Sequence, residues 1–524
     1  MKLRRHSEPF LQQLPSQVAD IIAGAERVLP FIAAPPTLKA LLHSAAIKNM
    51  NQGRRELLVR VLAEQNATSS FAEVQKSLAD LGKSETVTVT TGHQLNVLGG
   101  PAYFVYKIAH TVALARALEQ RQPGLRVVPM FWMASEDHDF AEIASVSNFR
   151  ETLVLNQAGG GAVGPMSAVG LTDLAQGFVE SCNGLANEWA DFLHSLGKQK
   201  TLADATRRLV DRLFGKYGVV VIDANDERLK AEFAPIMAQE LVNGVASRAI
   251  SATNEALVAA GYPLQLNARE INLFYLGEAS RDGIMKVSGR YMAGNALDTD
   301  EAGILELLEA HPERFSPNAA LRPVYQEYIL PNLAYVGGPG EMSYWLQLKA
   351  TFDTFKVDYP ILIPRNSVTV IGSKEAEWMH DLGLTELDLL EPLNDLTRRL
   401  VLGNGTEDSV ISASRTVLDR TFAELAAYMK SVDATLEAKA AAAAARLSNE
   451  LDGLEKAIVK AKKQKDETRV RRLERIYNQA FPSGPQERKI NYFALSVLTD
   501  EDLIDRMITD FRPEHGEWLV YLNQ

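Results

Sequence analysis

The chain has 524 residues, 46% of them hydrophobic and 23% charged, with 55 Lys and Arg against 66 Asp and Glu for a net charge of −11. That length predicts more than one domain, the composition is that of a soluble globular protein, and the acidic balance argues against a general nucleic-acid binder. The single cysteine, Cys182, excludes an intramolecular disulfide framework and any cysteine-pair zinc site, and it fits a reducing cytoplasm. The N-terminal MKLRRHSEPF carries basic residues without an apolar core behind them, and no apolar run is long enough to span a bilayer. A cytoplasmic protein without a membrane partner is expected.

In chain order, residues 11 to 80 read as helical, because Leu38, Leu41, Leu42 and Ala45 and then Leu57, Leu58, Val61 and Leu62 follow helical spacing. They form a leader, residues 1–80, expected to pack on the core. Alternation at Val87, Thr88, Val89 and Thr90 predicts a strand, and Pro101 then opens a helical run toward Gln120. Between them lies a loop with Gly92, His93, Gln94, Asn96, Gly99 and Gly100, where a backbone can approach a ligand closely. The continuous apolar run Val127–Ala134 predicts a strand buried on both faces of a parallel sheet, which completes a βαβ unit. Triple glycine at 159–161 and Gly164-Pro165 break the pattern, so residues 151–200 read as an insertion. Thr201–Phe214 reads as a helix, Gly218–Asp223 as a strand and Glu227–Ala249 as its following helix. Short alternating segments within 261–295 predict a small β element in a second insertion near 255–320.

An apolar segment around Leu333–Val336 then meets Gly337-Gly338-Pro339-Gly340-Glu341, the same glycine-pair and proline device as at 99–101. Pro360–Pro364 is a further apolar segment, ending in Arg365 and Asn366. The core is therefore assigned to 81–373. From 374 to 480 strong helix formers dominate: Leu418, Phe422, Leu425, Met429, Val432 and Leu436, then Leu447, Leu451, Leu454 and Ile458, step by threes and fours around the alanine block 440–445. This predicts a projecting coiled-coil arm, with the basic run 460–475 as its solvated tip or a phosphate site. The tail, 481–524, ends in apolar residues that should return to the core.

Glu136, Asp137, His138 and Asp139 form the densest polar cluster, directly after a predicted buried strand. The carboxylates could hold an amine or a divalent metal and His138 could serve as a base, while helix capping explains the same residues without function. His93 and Gln94 could bind a carboxylate or polarise a carbonyl. Arg322, Gln326 and Glu327 could meet an anion or form a helix-face pair, and Arg365 could clamp a carboxylate bidentately. Strands ending at one sheet edge should gather the turn 92–100, the cluster 136–139, the turn 337–341 and Arg365 around a single cleft.

Taken together, TGHQLNVLGGPAYFVYK (91–107), PMFWMASEDHDF (129–140), RPVYQEYILPNLAYVGGPGEMSYWLQL (322–348), PILIPRNS (360–367) and FPSGPQERKIN (481–491) resemble the bacillithiol-biosynthesis cysteine-adding enzyme family, in order and over essentially the whole chain. His93 stands where many members carry a second glutamine. The resemblance implies an α/β fold: a Rossmann-like parallel-sheet core with two connecting insertions and a C-terminal coiled coil used for homodimerisation. It also implies a ligase that joins cysteine to glucosaminyl malate. Amide formation in water is uphill, so the carboxyl needs activation, with ATP a candidate donor and no structural zinc expected. In that setting Glu136, Asp137 and His138 are the catalytic candidates. Gly92, His93, Gln94, Gly100, Asp139, Arg322, Gln326, Gly338, Gly340, Glu341, Tyr344, Arg365 and Asn366 are the binding candidates, and no metal ligand is assigned. The rival reading is a non-catalytic nucleotide- or metabolite-binding scaffold whose arm recruits partners.

Overall fold

The computed structural model describes residues 1–7, 12–402 and 406–523; residues 8–11, 403–405 and 524, which fall in the leader, arm and tail, lie outside the described residues. Contacts divide the chain into two units. One joins Arg5–Thr369 to Gly484–Tyr521, and the other comprises Met1–Arg4, Val370–Ser483 and Leu522–Gln524.

The larger unit is built on a five-stranded parallel sheet of β1 (Val87–His93), β2 (Val127–Met133), β3 (Val220–Asp223), β4 (Asn332–Gly337) and β5 (Ile361–Pro364), in the order β5-β4-β1-β2-β3. β1 and β2 are covered on both faces, which is why they read as β-branched or continuous apolar runs. Pro129 stands in an interior strand, where a missing N–H is usually costly. The ladder from β2 to β3 starts one residue later, at Met130 opposite Val220, so no pairing on that side is interrupted. Helix α1 (Tyr103–Arg121) crosses from β1 to β2 and buries most of its length. Trp132 of β2 meets Tyr325 edge-on with ring centroids 5.5 Å apart, and truncating so large a buried ring costs about 3–5 kcal/mol.

Helices α2 (Leu202–Phe214) and α3 (Glu227–Asn243) flank β3. The expected single helix 227–249 is in fact two, because Gly244 takes φ 54° and α4 (Val245–Ala259) starts anew after it. The buried Glu240 carboxylate receives the Ala246 N–H at 2.9 Å and so satisfies a donor at the break. Pro101 does not open α1 either. The helix begins at Tyr103, and Pro101 forms a bridge with Asn491 of the tail.

Residues 145–200 hold a small hairpin (Ser145–Ser147 with Thr152–Val154) and two helices, Leu171–Ser181 and Asn187–Leu196. The second insertion contains two three-stranded antiparallel sheets: one of Leu273–Leu276, Arg281–Gly283 and Phe315–Pro317, the other of Met285–Val287, Arg290–Ala293 and Leu297–Thr299. In the leader, Arg55 is buried and donates to the carbonyls of Leu81, Ser84 and Thr86, closing the end of the helix Ala72–Leu81 and the approach to β1.

The smaller unit is helical. Its long helices Thr406–Val432 and Glu437–Lys465 pair with each other, tied by Arg415 to Asp452 at 2.6 Å and to Ser448 at 3.0 Å. Leu418, Phe422, Met429, Leu436 and Leu451 are half-buried, whereas Leu425, Val432, Leu447, Leu454 and Ile458 are exposed. The basic run ends one helix and starts the next: Lys462, Lys463 and Lys465 occupy a last turn, where positive charge complements the helix dipole.

Candidate functional site

A cleft of 420 Å³ opens at the carboxyl ends of β1, β2 and β4. β1 contributes Gly92, His93 and Gln94; the end of β2 contributes Glu136 and Asp137; β4 and α5 (Pro339–Trp345) contribute Tyr335, Glu341 and Tyr344; and Arg322 stands at the head of the helix Arg322–Ile329. Parallel strands all end on this side, so the residues just past each strand converge.

Two buried lysines, neither of them a candidate from sequence, organise the floor. Lys107 on α1 donates to the Gly92 carbonyl and to Glu341 Oε2 at 2.7 Å. Glu341 also receives the Tyr335 hydroxyl at 2.5 Å and the Gly338 N–H at 2.9 Å, so its side chain folds back over the N-terminus of α5. Burial would push the Glu341 carboxyl up, but Lys107 and these donors outweigh it and hold the group down at about 2. Lys230 on α3 is wholly buried, bonds Asn225 Oδ1 at 2.7 Å and the Glu313 carbonyl at 2.8 Å, and pairs with Glu136. Lys230 holds Glu136 through Oε1, and Oε2 has no hydrogen-bond partner among the described residues. Burial lowers both lysines, and the paired carboxylates partly restore them. A lysine inside the apolar run Val105-Tyr106-Lys107-Ile108-Ala109 is the signal in the sequence, since lysine is almost never buried without a partner.

Asp137 receives the Gln94 amide at 2.6 Å and the His138 backbone N–H at 2.7 Å. Burial opposes its charge, yet Gln94, Arg281 and these backbone donors leave its carboxyl below the usual range. The His93 ring packs between Tyr103 and Phe104, with centroids at 5.1 and 5.3 Å. Burial, reinforced by the Lys107 charge, lowers it to about 3, so His93 is a neutral imidazole at physiological pH.

His138 lies at the rim, where Arg281 Nη1 donates to its Nδ1 at 3.0 Å. An arginine can only donate, so Nδ1 accepts and the ring proton sits on Nε2. This removes the ring's free acceptor and weakens the case for His138 as a base. Asp139 caps the short helix Phe140–Ile143 by accepting the Glu142 N–H at 3.1 Å, the non-functional reading of that residue.

Several other expected binding residues fall outside the cleft. Gly100 is sealed behind it: Asn491 of the tail donates to the Gly100 carbonyl at 2.7 Å, and the Ala102 N–H at the head of α1 donates to Ile490. Arg365 does make a bidentate clamp, but on the chain's own Glu487, at 2.6 and 3.0 Å and fully buried. Asn366 is buried, gives its N–H to His110 and receives the Glu517 N–H, so it is a structural joint with the tail. Gln326 lies beneath Arg322, accepting from it at 3.1 Å and donating to Glu327. Gly338 gives its backbone N–H to Glu341, and Gly340 faces solvent. Arg269, Phe274 and Arg281, from the second insertion, line the cleft without having been singled out.

Residues 8–366 match the family described as bacillithiol biosynthesis BshC, N-terminal Rossmann-like domain, and residues 368–522 match its C-terminal coiled-coil domain. The chain is similar to BshC proteins of Flavobacterium psychrophilum (36% identical over 494 residues, 91% of each chain), Christiangramia forsetii (35% over 485 residues, 90% of each) and Cytophaga hutchinsonii (33% over 506 residues, 96% of this chain and 95% of the relative). Their names carry a proposed cysteine-ligase activity. The chain belongs to the bacillithiol biosynthesis BshC family.

Proposed function

We propose that this protein is a carbon–nitrogen ligase that adds cysteine to the amine of glucosaminyl malate, yielding bacillithiol. The observation that carries the reading is the cleft itself: at the carboxyl edge of a Rossmann-like sheet, Glu136 keeps one carboxylate oxygen open while a buried lysine fixes the other. An amine attacking an activated cysteinyl carbonyl must lose a proton, and Glu136 Oε2 is the acceptor free to take it. Asp137, held by Gln94, is the group to position an ammonium. Amide formation from a free carboxylate is uphill in water, so the cysteine carboxyl needs activation, and ATP is the simplest donor. The carboxylate attacks a phosphorus of ATP, releasing pyrophosphate or ADP, and the amine then displaces AMP or phosphate from the mixed anhydride. The exposed Leu425, Val432, Leu447, Leu454 and Ile458 of the helical pair are the surface by which two copies would associate.

The test is reconstitution. Purified protein given cysteine, glucosaminyl malate and ATP should form the amide, with Glu136→Gln reducing turnover at least about a hundredfold. Omitting ATP should abolish product. Wild-type turnover that Glu136→Gln leaves intact would remove Glu136 from the mechanism, and a deletion strain with normal bacillithiol would remove the function.

A further inference from the structure

The cleft holds more positive charge than its own carboxylates neutralise. Lys107 is matched by Glu341 and Lys230 by Glu136. Asp137 then stands alone against three guanidinium groups, those of Arg269, Arg281 and Arg322. Among the described residues none of these three is hydrogen-bonded to a carboxylate: the Asp137 oxygen is 3.8 Å from Arg281, and Arg322 reaches only Gln326 at 3.1 Å and the Tyr344 hydroxyl at 3.5 Å. Two other arginines of this unit do close on a carboxylate, Arg228 on Asp226 at 2.8 Å and Arg365 on Glu487 at 2.6 Å.

Two of the three share one aromatic ring. Arg281 lies 4.0 Å and Arg269 5.1 Å from the centroid of Phe274, so both cations stack on a single phenyl group. Like charges this close repel unless an anion sits between or beside them. The backbone makes room for the arrangement: a Cβ built on Gly283 would lie 2.1 Å from the Arg269 Nη1 atom, so only glycine there lets that guanidinium lie where it does. Arg281 is further fixed by the Ser316 hydroxyl at 3.2 Å and packs with 9% of its side chain exposed. The shelf is thus a preorganised element of the second insertion, two positive charges in excess and turned toward the cleft.

We infer that the Arg269–Phe274–Arg281 shelf, completed by Arg322, is a subsite for a small dianion, the two carboxylates of a malyl group. This rests on the proposed function for the identity of the whole acceptor, but the chemistry of the shelf is independent of it. A guanidinium fork matches a carboxylate with two parallel hydrogen bonds, and two carboxylates restore neutrality to the cleft. The acceptor would then enter with its acidic end on the insertion and its amine toward Glu136 and Asp137.

Calorimetric titration tests this without turnover, with L-malate, its dimethyl ester, glucosaminyl malate, inorganic phosphate and ATP as probes. L-malate and glucosaminyl malate should bind and the diester should not. Arg269→Gln should weaken both acids about thirtyfold, the loss expected of a charge-assisted contact, while leaving ATP affinity unchanged. Arg269 is exposed, so this variant has little folding risk. Gly283→Ala, which keeps every charge but displaces the Arg269 guanidinium, should weaken the same two ligands. Unchanged malate affinity in Arg269→Gln, or a loss confined to phosphate and ATP, overturns the inference. Arginine-dependent malate binding by a protein that forms no bacillithiol would sustain the shelf and sink the ligase reading alone.

Discussion

The tripeptide Gly-Gly-Pro occurs at two strand-to-helix turns, 99–101 after β1 and 337–339 after β4, and the surroundings of the two differ completely. At the first, Gly99 and Gly100 take φ 82° and 53°, the tail lays Asn491 across the carbonyls of Leu98 and Gly100, and the helix start is occupied by Ile490. At the second, Pro339 is the first residue of its helix, and Glu341 turns its carboxylate back to Gly338, Tyr335 and Lys107 at the cleft wall. One turn is a joint for the chain's own end, while the other is a cleft edge. Identical local chemistry was assigned to a different use in each case by what packs above it.

The comparison breaks hardest at Glu341. Replacing it with Ala strands the Lys107 ammonium, 2% exposed, without its counter-charge, and about 3–5 kcal/mol of stability should be lost in urea unfolding. A loss below about 1 kcal/mol would mean that the pair does not hold the second turn together. Next comes Gly100→Ala, where the new Cβ meets a positive φ and the Asn96 side chain at 2.5 Å. It should cost about 2–3 kcal/mol, with the affinity of cleft ligands unchanged because this turn is sealed off.

Acid should separate the contributions to the cleft wall. The folded-state value of His93 is about 3 against an ordinary 6.5, so its share of stability is full above pH 6.5 and is lost as pH falls toward 3. Buried His110, lowered to about 4, acts in the same direction. Glu341, at about 2 against 4.5, loses its share as pH falls from 4.5 toward 2. The urea midpoint should therefore be lower at pH 5 than at pH 8, and Glu341→Gln should shrink the acid loss below pH 4.5, where His93 still contributes, while leaving the portion above it. A midpoint flat from pH 8 to 5 would contradict neutral buried imidazoles. The smallest effect belongs to Gly340→Ala: nothing lies within 4 Å of the new methyl and the residue is helical, so stability should rise by about 0.5–1 kcal/mol with no change in binding.

By itself the sequence determined the sheet and the edge at which the cleft opens. Runs such as Val127–Met133 and Leu333–Val336 are hydrophobic at every position because both faces of a parallel strand are covered, and that pattern survives any rearrangement of neighbours. For the same reason Gly92, Gln94, Glu136, Asp137 and Glu341, placed just past strand ends, were legible as cleft residues. Only tertiary structure decided partnership. Arg365 looked ready for a substrate carboxylate until Glu487, 122 residues away, filled its fork, and Gly100 looked open until Asn491 covered it. Arg269 and Arg281 carry no local pattern of their own; they become a shelf because antiparallel pairing sets Arg281 on Leu276, beside Phe274, and Gly283 leaves space for a second guanidinium. Secondary-structure period is a property of neighbouring residues, whereas charge pairing is a property of distance in space, and the chain's ends and insertions set those distances.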